Sequence, residues 1–216
     1  VSREVKRRGK FLVLPLSNGH ELIVHLGMTG VLSRMKPIQH GRVELRFENG
    51  GSLFFKDVRR FGRFCVAPHG DRSLLPTLAQ MGPEPLSSSF TVERFMDGLR
   101  SRTAIKTRLL SQRPVAGVGN IYADEALWIA GLLPDRPSNT IQEDEASALL
   151  KAIVQVLSVA VENGGTTIRD FETGNGARGR YGGQLKVYGR GGEPCVTCHA
   201  PLLSATLGQR TTVWCN

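Results

Sequence analysis

The chain has 216 residues, with 28 Lys and Arg against 19 Asp and Glu, a formal charge of +9 and a pI of about 9.9. That length can bury a real core in one domain or two, and the basic excess favours a polyanionic partner over an acidic-substrate pocket. No apolar run approaches the roughly 20 residues needed to cross a bilayer, and the basic opening VSREVKRRGK runs straight into strand-like alternation, so neither a membrane span nor a secretory leader is expected.

From Phe11 to Ala67 the chain reads as antiparallel β. FLVLPL, ELIVHL, RVELRF, SLFFKD and RFCVAP are short extended runs separated by SNGH, the GMTG region and ENGG. Asn49-Gly50-Gly51 is a hairpin signal between RVELRF and SLFFKD. Residues 68–90 are loop-rich, with MGPEPLSSS as a linker. From Thr91 the period becomes helical. Thr91 caps a first helix that places Phe95 and Leu99 on one face, and residues 104–110 form a second. In QRPVAGVGNIYADEALW, Pro114, Gly117 and Gly119 break the chain. Asn120 then stands as N-cap of an apolar helix that Gly131 stops. Such a tip, with uncovered amides and a small polar cap, suits a phosphate. The longest helix is expected from Ile141 to about Asn163. Thr140 with Glu143 would form its capping box, and Leu149, Leu150, Ile153, Val154, Leu157 and Val161 its apolar stripe. Residues 166–190 are glycine-rich and basic and read as a mobile loop.

Several groups carry chemistry. Cys195 and Cys198 are spaced C-x-x-C, with Cys215 sixteen residues further on, a pattern that favours a structural Zn²⁺ over a disulfide framework. His199 adjoins Cys198 and is a poor fourth ligand, so a zinc ribbon lacking its last ligand is expected. Cys65 reads as a core thiol. Arg7, Arg8 and Lys10 precede a strand, and Arg59-Arg60-Phe61-Gly62 follows one. Met28 lies in the glycine-flanked HLGMTG turn. It either tucks inward or, exposed beside Arg59 and Phe61, acts as a wedge that enters a base stack. Asp57 is expected to order the arginine loop through a salt bridge.

In order, RRGKF, HLGMTG, DVRRFG, MGPEPL, QRPVAGVGNIYADEALW, GGTT, VYGRGGEPC and QRTTVWC resemble the bacterial formamidopyrimidine-DNA glycosylases over essentially residues 3–216. The resemblance implies an α+β chain: a partial N-terminal antiparallel β-sandwich (1–80), a linker (81–90), a helix–two-turns–helix domain (91–190) and a zinc hairpin (191–216). It implies excision of 8-oxoguanine and formamidopyrimidines from duplex DNA by base flipping, a Schiff base and β,δ-elimination. The partner would be double-stranded DNA with an oxidised purine or an abasic site, and the protein a cytoplasmic, nucleoid-associated bacterial monomer. By the same resemblance Lys10 contacts phosphate near the lesion, and Met28, Arg59 and Phe61 fill the space of the flipped nucleotide. Arg60 also faces DNA. Lys106, Asn120 and Arg210 grip phosphates. Arg178, Tyr181 and Gln184 belong to a lesion-recognition loop at about 170–186. Zn²⁺ sits on Cys195, Cys198 and Cys215.

The departures lead to further expectations. The family's initial Pro-Glu, nucleophile and acid/base, has no counterpart here, so the chain is expected to be N-terminally truncated, cut inside its zinc finger, and better at binding than at processing. Val58 replaces a proline, and Tyr181-Gly182-Gly183-Gln184 lacks the usual aromatic. A non-catalytic damaged-DNA binder and a zinc-ribbon RNA-binding protein are the alternatives.

Overall fold

A computed structural model describes residues 4–48, 50–168 and 176–216. They fall into two compact units: the described residues of Val1–Leu75 and Glu162–Gly182, and those of Pro76–Val161 and Gly183–Asn216.

The first unit is a β-sandwich. Strands β1 (Lys6–Arg8), β2 (Phe11–Pro15), β3 (His20–His25) and β7 (Arg63–Pro68) form one antiparallel sheet in the order β1-β2-β3-β7. β4 (Gly30–Ser33), β5 (Gly41–Arg46) and β6 (Ser52–Asp57) form the other, in the order β4-β6-β5. All five expected strands are present. β1 and β4 were not expected, because three or four residues are too few for alternation to stand out. Leu14, Leu22 and Val24 are buried from the first sheet, and Leu32 and Leu45 pack on them from the second. Cys65 is half-buried opposite Ile23. β5 and β6 pair as a hairpin, although Asn49 of its turn lies outside the described residues.

The second unit is helical, with α1 (Pro76–Ala79), α2 (Val92–Leu99), α3 (Ile105–Leu110), α4 (Asn120–Ile129) and α5 (Glu143–Glu162). Phe95, Leu99, Ile105, Leu109, Leu127, Leu149 and Ile153 share its core. Thr91 caps α2 by accepting the Arg94 amide. Two expected caps move. Gly119, not Asn120, is the N-cap of α4, because the Asn120 side chain turns away to donate to Thr211 O at 3.1 Å. The capping bond of α5 runs from the Gln142 amide to Glu145, at 2.8 Å, rather than between Thr140 and Glu143. Arg136 decides this register, since it grips both the Glu145 carboxylate and the Thr140 carbonyl. The apolar stripe of α5 is also rotated: Val156 is buried, whereas Val161 is 68% exposed.

The C-terminal residues add the hairpin β8 (Leu203–Leu207) and β9 (Arg210–Trp214). Val187, Cys195, Leu202 and Val213 make a small separate core with Trp128 and Cys215. The α+β architecture expected from the sequence is therefore present: sandwich, helix–two-turns–helix and cysteine-bearing hairpin. Among the described residues no helix is long and apolar enough to cross a membrane.

Candidate nucleic-acid interface

In the sandwich unit, the β6–β7 turn and the loop before β4 meet at Asp57. Its Oδ1 accepts the Thr29 hydroxyl at 2.6 Å, and its Oδ2 accepts the Gly62 amide at 2.8 Å. The Thr29 Oγ1 in turn accepts the Arg59 amide at 3.0 Å. Burial alone would raise the Asp57 pKa. The bonds from Thr29 and from the Gly62, Arg59 and Arg60 amides outweigh it and hold the carboxyl below its ordinary value. Asp57 therefore orders the arginine loop through backbone amides and a hydroxyl, not through the expected salt bridge. Glycines let the two loops close. A Cβ on Gly27, whose φ is +71°, would lie 2.7 Å from the Phe61 carbonyl carbon, and one on Gly62 would lie 2.4 Å from the Phe55 ring.

This clamp presents Met28, Arg59 and Phe61 together. Met28 is 55% and Phe61 51% exposed, so neither tucks into the core. The Arg59 guanidinium stands 4.9 Å from the Phe61 ring centroid and 3.4 Å from the Met28 sulfur. The three form one protruding apolar and cationic surface. Arg60 is exposed beside them in a left-handed conformation, φ 58°, and Val58 is exposed as well. Lys10 is exposed at the tip of the turn joining β1 and β2. His25 is held below its ordinary pKa, first by burial and then by the charges of Lys10 and Arg63, so this end of the sheet keeps its positive charge on Lys and Arg.

In the helical unit the expected phosphate grip is rearranged. The Lys106 side chain is fully buried, 2.6 Å from Asp124, and it donates to Thr211 O at 2.9 Å and Thr212 Oγ1 at 2.8 Å. Burial pushes the ammonium below its usual pKa, and Asp124 opposes that shift. Lys106 is thus an internal strut between α3, α4 and β9, buried where the sequence reading expected an outward phosphate contact. Asn120 is half-buried, with an amide N–H spent on Thr211. Arg210 is exposed at the start of β9. Among the expected grips of this unit, Arg210 is left as an outward cation.

Two partners escaped sequence reasoning. Asp124 also accepts the Val213 amide, and burial raises its pKa to about 6 against the pull of Lys106. Glu125, 1% exposed, accepts the amides of Lys186, Val187 and Tyr188. The available signal was two adjacent acids within an otherwise apolar helix. Such acids stay buried only when paired.

Of the expected recognition loop, residues 170–175 lie outside the described set. Arg178 and Gln184 are exposed, whereas Tyr181 is buried at the start of a 3₁₀ turn, Tyr181–Gln184, so its ring is not offered to a ligand.

The sulfurs of Cys195, Cys198 and Cys215 lie within 4.8 Å of one another, with Cys198 and Cys215 3.3 Å apart. Thiolates about 2.3 Å from a tetrahedral Zn²⁺ stand roughly 3.8 Å apart, so the cluster fits three corners of a structural zinc site. The Cys198 and Thr197 amides pull the Cys195 thiol down to about 6, toward the thiolate that binds metal.

Sequence comparison places both units. The Formamidopyrimidine-DNA glycosylase N-terminal domain matches residues 1–64, and the Formamidopyrimidine-DNA glycosylase H2TH domain matches residues 81–172. The formamidopyrimidine-DNA glycosylase of Thermus thermophilus is 46% identical over 98% of this chain and 80% of its own length. That of Pectobacterium carotovorum is 41% identical over the same shares. The crystal structure of the Thermus thermophilus MutM (Fpg) protein superposes with a TM-score of 0.90 at 45% identity, covering 98% of this chain and 80% of that one. A Lactococcus lactis Fpg mutant in complex with Fapy-dG containing DNA superposes at 0.85 with 33% identity, covering 99% and 80%. The expectation of a truncated chain cut inside its zinc finger is overturned. The N-terminal domain matches from residue 1 and folds as a two-sheet sandwich, and the three cysteines close into a single cluster.

Proposed function

Because the chain belongs to the formamidopyrimidine-DNA glycosylase family, we propose that it acts on duplex DNA carrying an oxidised purine or an abasic site. The observation that carries this reading is the exposed Met28–Arg59–Phe61 surface, held by Asp57 and Thr29. A flipped nucleotide leaves a gap in the stack. An aromatic ring, a flexible thioether and a guanidinium on a fixed turn can fill it while offsetting phosphate charge. Lys10 and Arg210 supply cations toward the backbone. We assign void filling to residues 1–80, and backbone grip to residues 91–190 and 191–216. Zn²⁺ on Cys195, Cys198 and Cys215 would stiffen the hairpin that carries Arg210.

The proposed chemistry is attack of an amine on the sugar C1′, loss of the base, a Schiff base and β,δ-elimination. Lys10, exposed at the turn joining β1 and β2, is one amine that these residues offer to an opened sugar. Through Lys10 alone excision is expected to be slow, and binding of lesion DNA to be the stronger property. Borohydride trapping tests this on duplexes with 8-oxoguanine and with an abasic site. Little adduct with 8-oxoguanine, and a weak Lys10-dependent adduct with the abasic duplex, is the expected result. Efficient trapping on 8-oxoguanine overturns slow excision, and equal affinity for lesion and undamaged duplex overturns the functional reading itself.

A further inference from the structure

One cavity of the helical unit takes no part in the site described above. It is about 450 Å³ and opens between α1, the turn after α2 and α3, a size ordinary for small-molecule sites. Its lining residues include Arg108, Arg113 and five serines and threonines, and no Asp or Glu. Among the described residues, the ion pairs of this unit use Arg100, Lys106, Arg136 and Arg190, and leave Arg108 and Arg113 out.

Both guanidiniums are fixed by neutral partners. Arg108 donates its Nε to the Gly98 carbonyl at 2.6 Å, which leaves both Nη groups for a ligand. Arg113 donates one Nη to Gln80, which leaves the rest of its fork. The Ser111 hydroxyl is spent on the Arg108 carbonyl, and Ser101 and Thr103 bond to each other. Thr77 and Thr107 add two further hydroxyls to the lining. Burial and the nearby Arg113 charge both lower the Arg108 pKa, so two like charges face one space without a counterion. An anion with several oxygens would relieve that repulsion and accept from both forks, which is the geometry in which guanidinium groups take phosphate.

We propose that this cavity is a phosphate-binding site, in which Arg108 and Arg113 hold the phosphate of a nucleotide or of a nucleic-acid backbone. It lies on a face of α3 other than the one that buries Lys106, and it does not depend on lesion chemistry.

The test uses the zinc-loaded full chain and the variants R108Q/R113Q and R113Q. Titration with inorganic phosphate and with dGMP, followed by ³¹P NMR, should show saturable binding that the double variant weakens about tenfold or more, as expected for loss of two charge-assisted contacts. A second arm measures the salt dependence of binding to undamaged duplex. A slope lower by about two in the double variant identifies the source as DNA backbone. An unchanged slope together with variant-sensitive dGMP binding identifies a free nucleotide, and either result supports the site. Absence of phosphate and dGMP binding with an unchanged slope overturns it, as does wild-type binding by the double variant. Should R108Q unfold the chain by freeing Gly98, R113Q alone, which touches only a side-chain amide, must still weaken binding. Failure of lesion recognition leaves this outcome untouched, so the two readings fail separately.

Discussion

Replacing Lys106 by methionine keeps most of the buried stem and removes only the ammonium. Asp124 is then left fully buried, with the Val213 amide as its remaining hydrogen-bond donor; Thr212 Oγ1 loses the ammonium it accepts from, and Thr211 O keeps only the Asn120 amide. Breaking a buried ion pair from one side costs about 3–5 kcal/mol. At roughly 2–4 °C per kcal/mol for a chain of this size, the transition should fall by about 6–20 °C. The sign of the pH dependence follows from Asp124. Burial raises its pKa from near 3.8 to about 6, while Lys106 holds it down. A carboxyl raised on folding contributes stability that is fully present below its unfolded value and lost as pH rises through its folded value. Without Lys106 the folded value rises further and the loss deepens, so the penalty should be larger at pH 7 than at pH 5, where Asp124 is mostly protonated and needs no cation. Trp128 and Trp214 are the two tryptophans of the chain, and both belong to the helical unit. Urea unfolding followed by their fluorescence therefore reads this unit alone. A penalty below about 0.5 kcal/mol, the range of ordinary surface changes, would refute the strut. So would an equal penalty at pH 5 and pH 7.

Phe61→Ala should leave stability within about 0.5 kcal/mol, since the ring is half exposed. It should cost roughly 1–3 kcal/mol of preference for lesion duplex, and a large drop in melting temperature would show a core ring instead. Asp57→Ala strands the Thr29 hydroxyl and the Gly62 amide, at about 1–3 kcal/mol, and should lower lesion preference as well as stability. Thr29→Ser keeps the bridging hydroxyl and should behave as wild type; equal loss in both variants refutes the clamp. Because the Asp57 pKa is held down, its contribution is present above the ordinary carboxylate value and lost as acid takes the pH through the folded one. Mass spectrometry should find one zinc per chain. Chelation should change the fluorescence of Trp128, which packs on the cysteine core, and of Trp214, next to Cys215 in the chain, and lower the DNA salt slope by about one through Arg210. Unchanged fluorescence after metal removal refutes a structural ion.

Sequence by itself determined the parts whose physics is local. Alternation gave the long strands of the sandwich. The Thr91 cap and helical periodicity gave α2, and cysteine spacing gave the metal cluster. The ordered motifs gave the family. The tertiary structure decided what each polar group faces. Asn120 carries every mark of an N-cap, yet its side chain is drawn to Thr211, ninety-one positions away. Lys106 and Arg210 look alike in sequence as cations that each precede a threonine. One is buried against Asp124, and the other stands in solvent. Asp57 meets amides instead of arginines because the glycine-lined turn brings backbone closer than any guanidinium. Periodicity fixes which side of an element is apolar. What a buried charge is paired with depends on residues distant in the chain that only the packed elements bring within hydrogen-bonding distance.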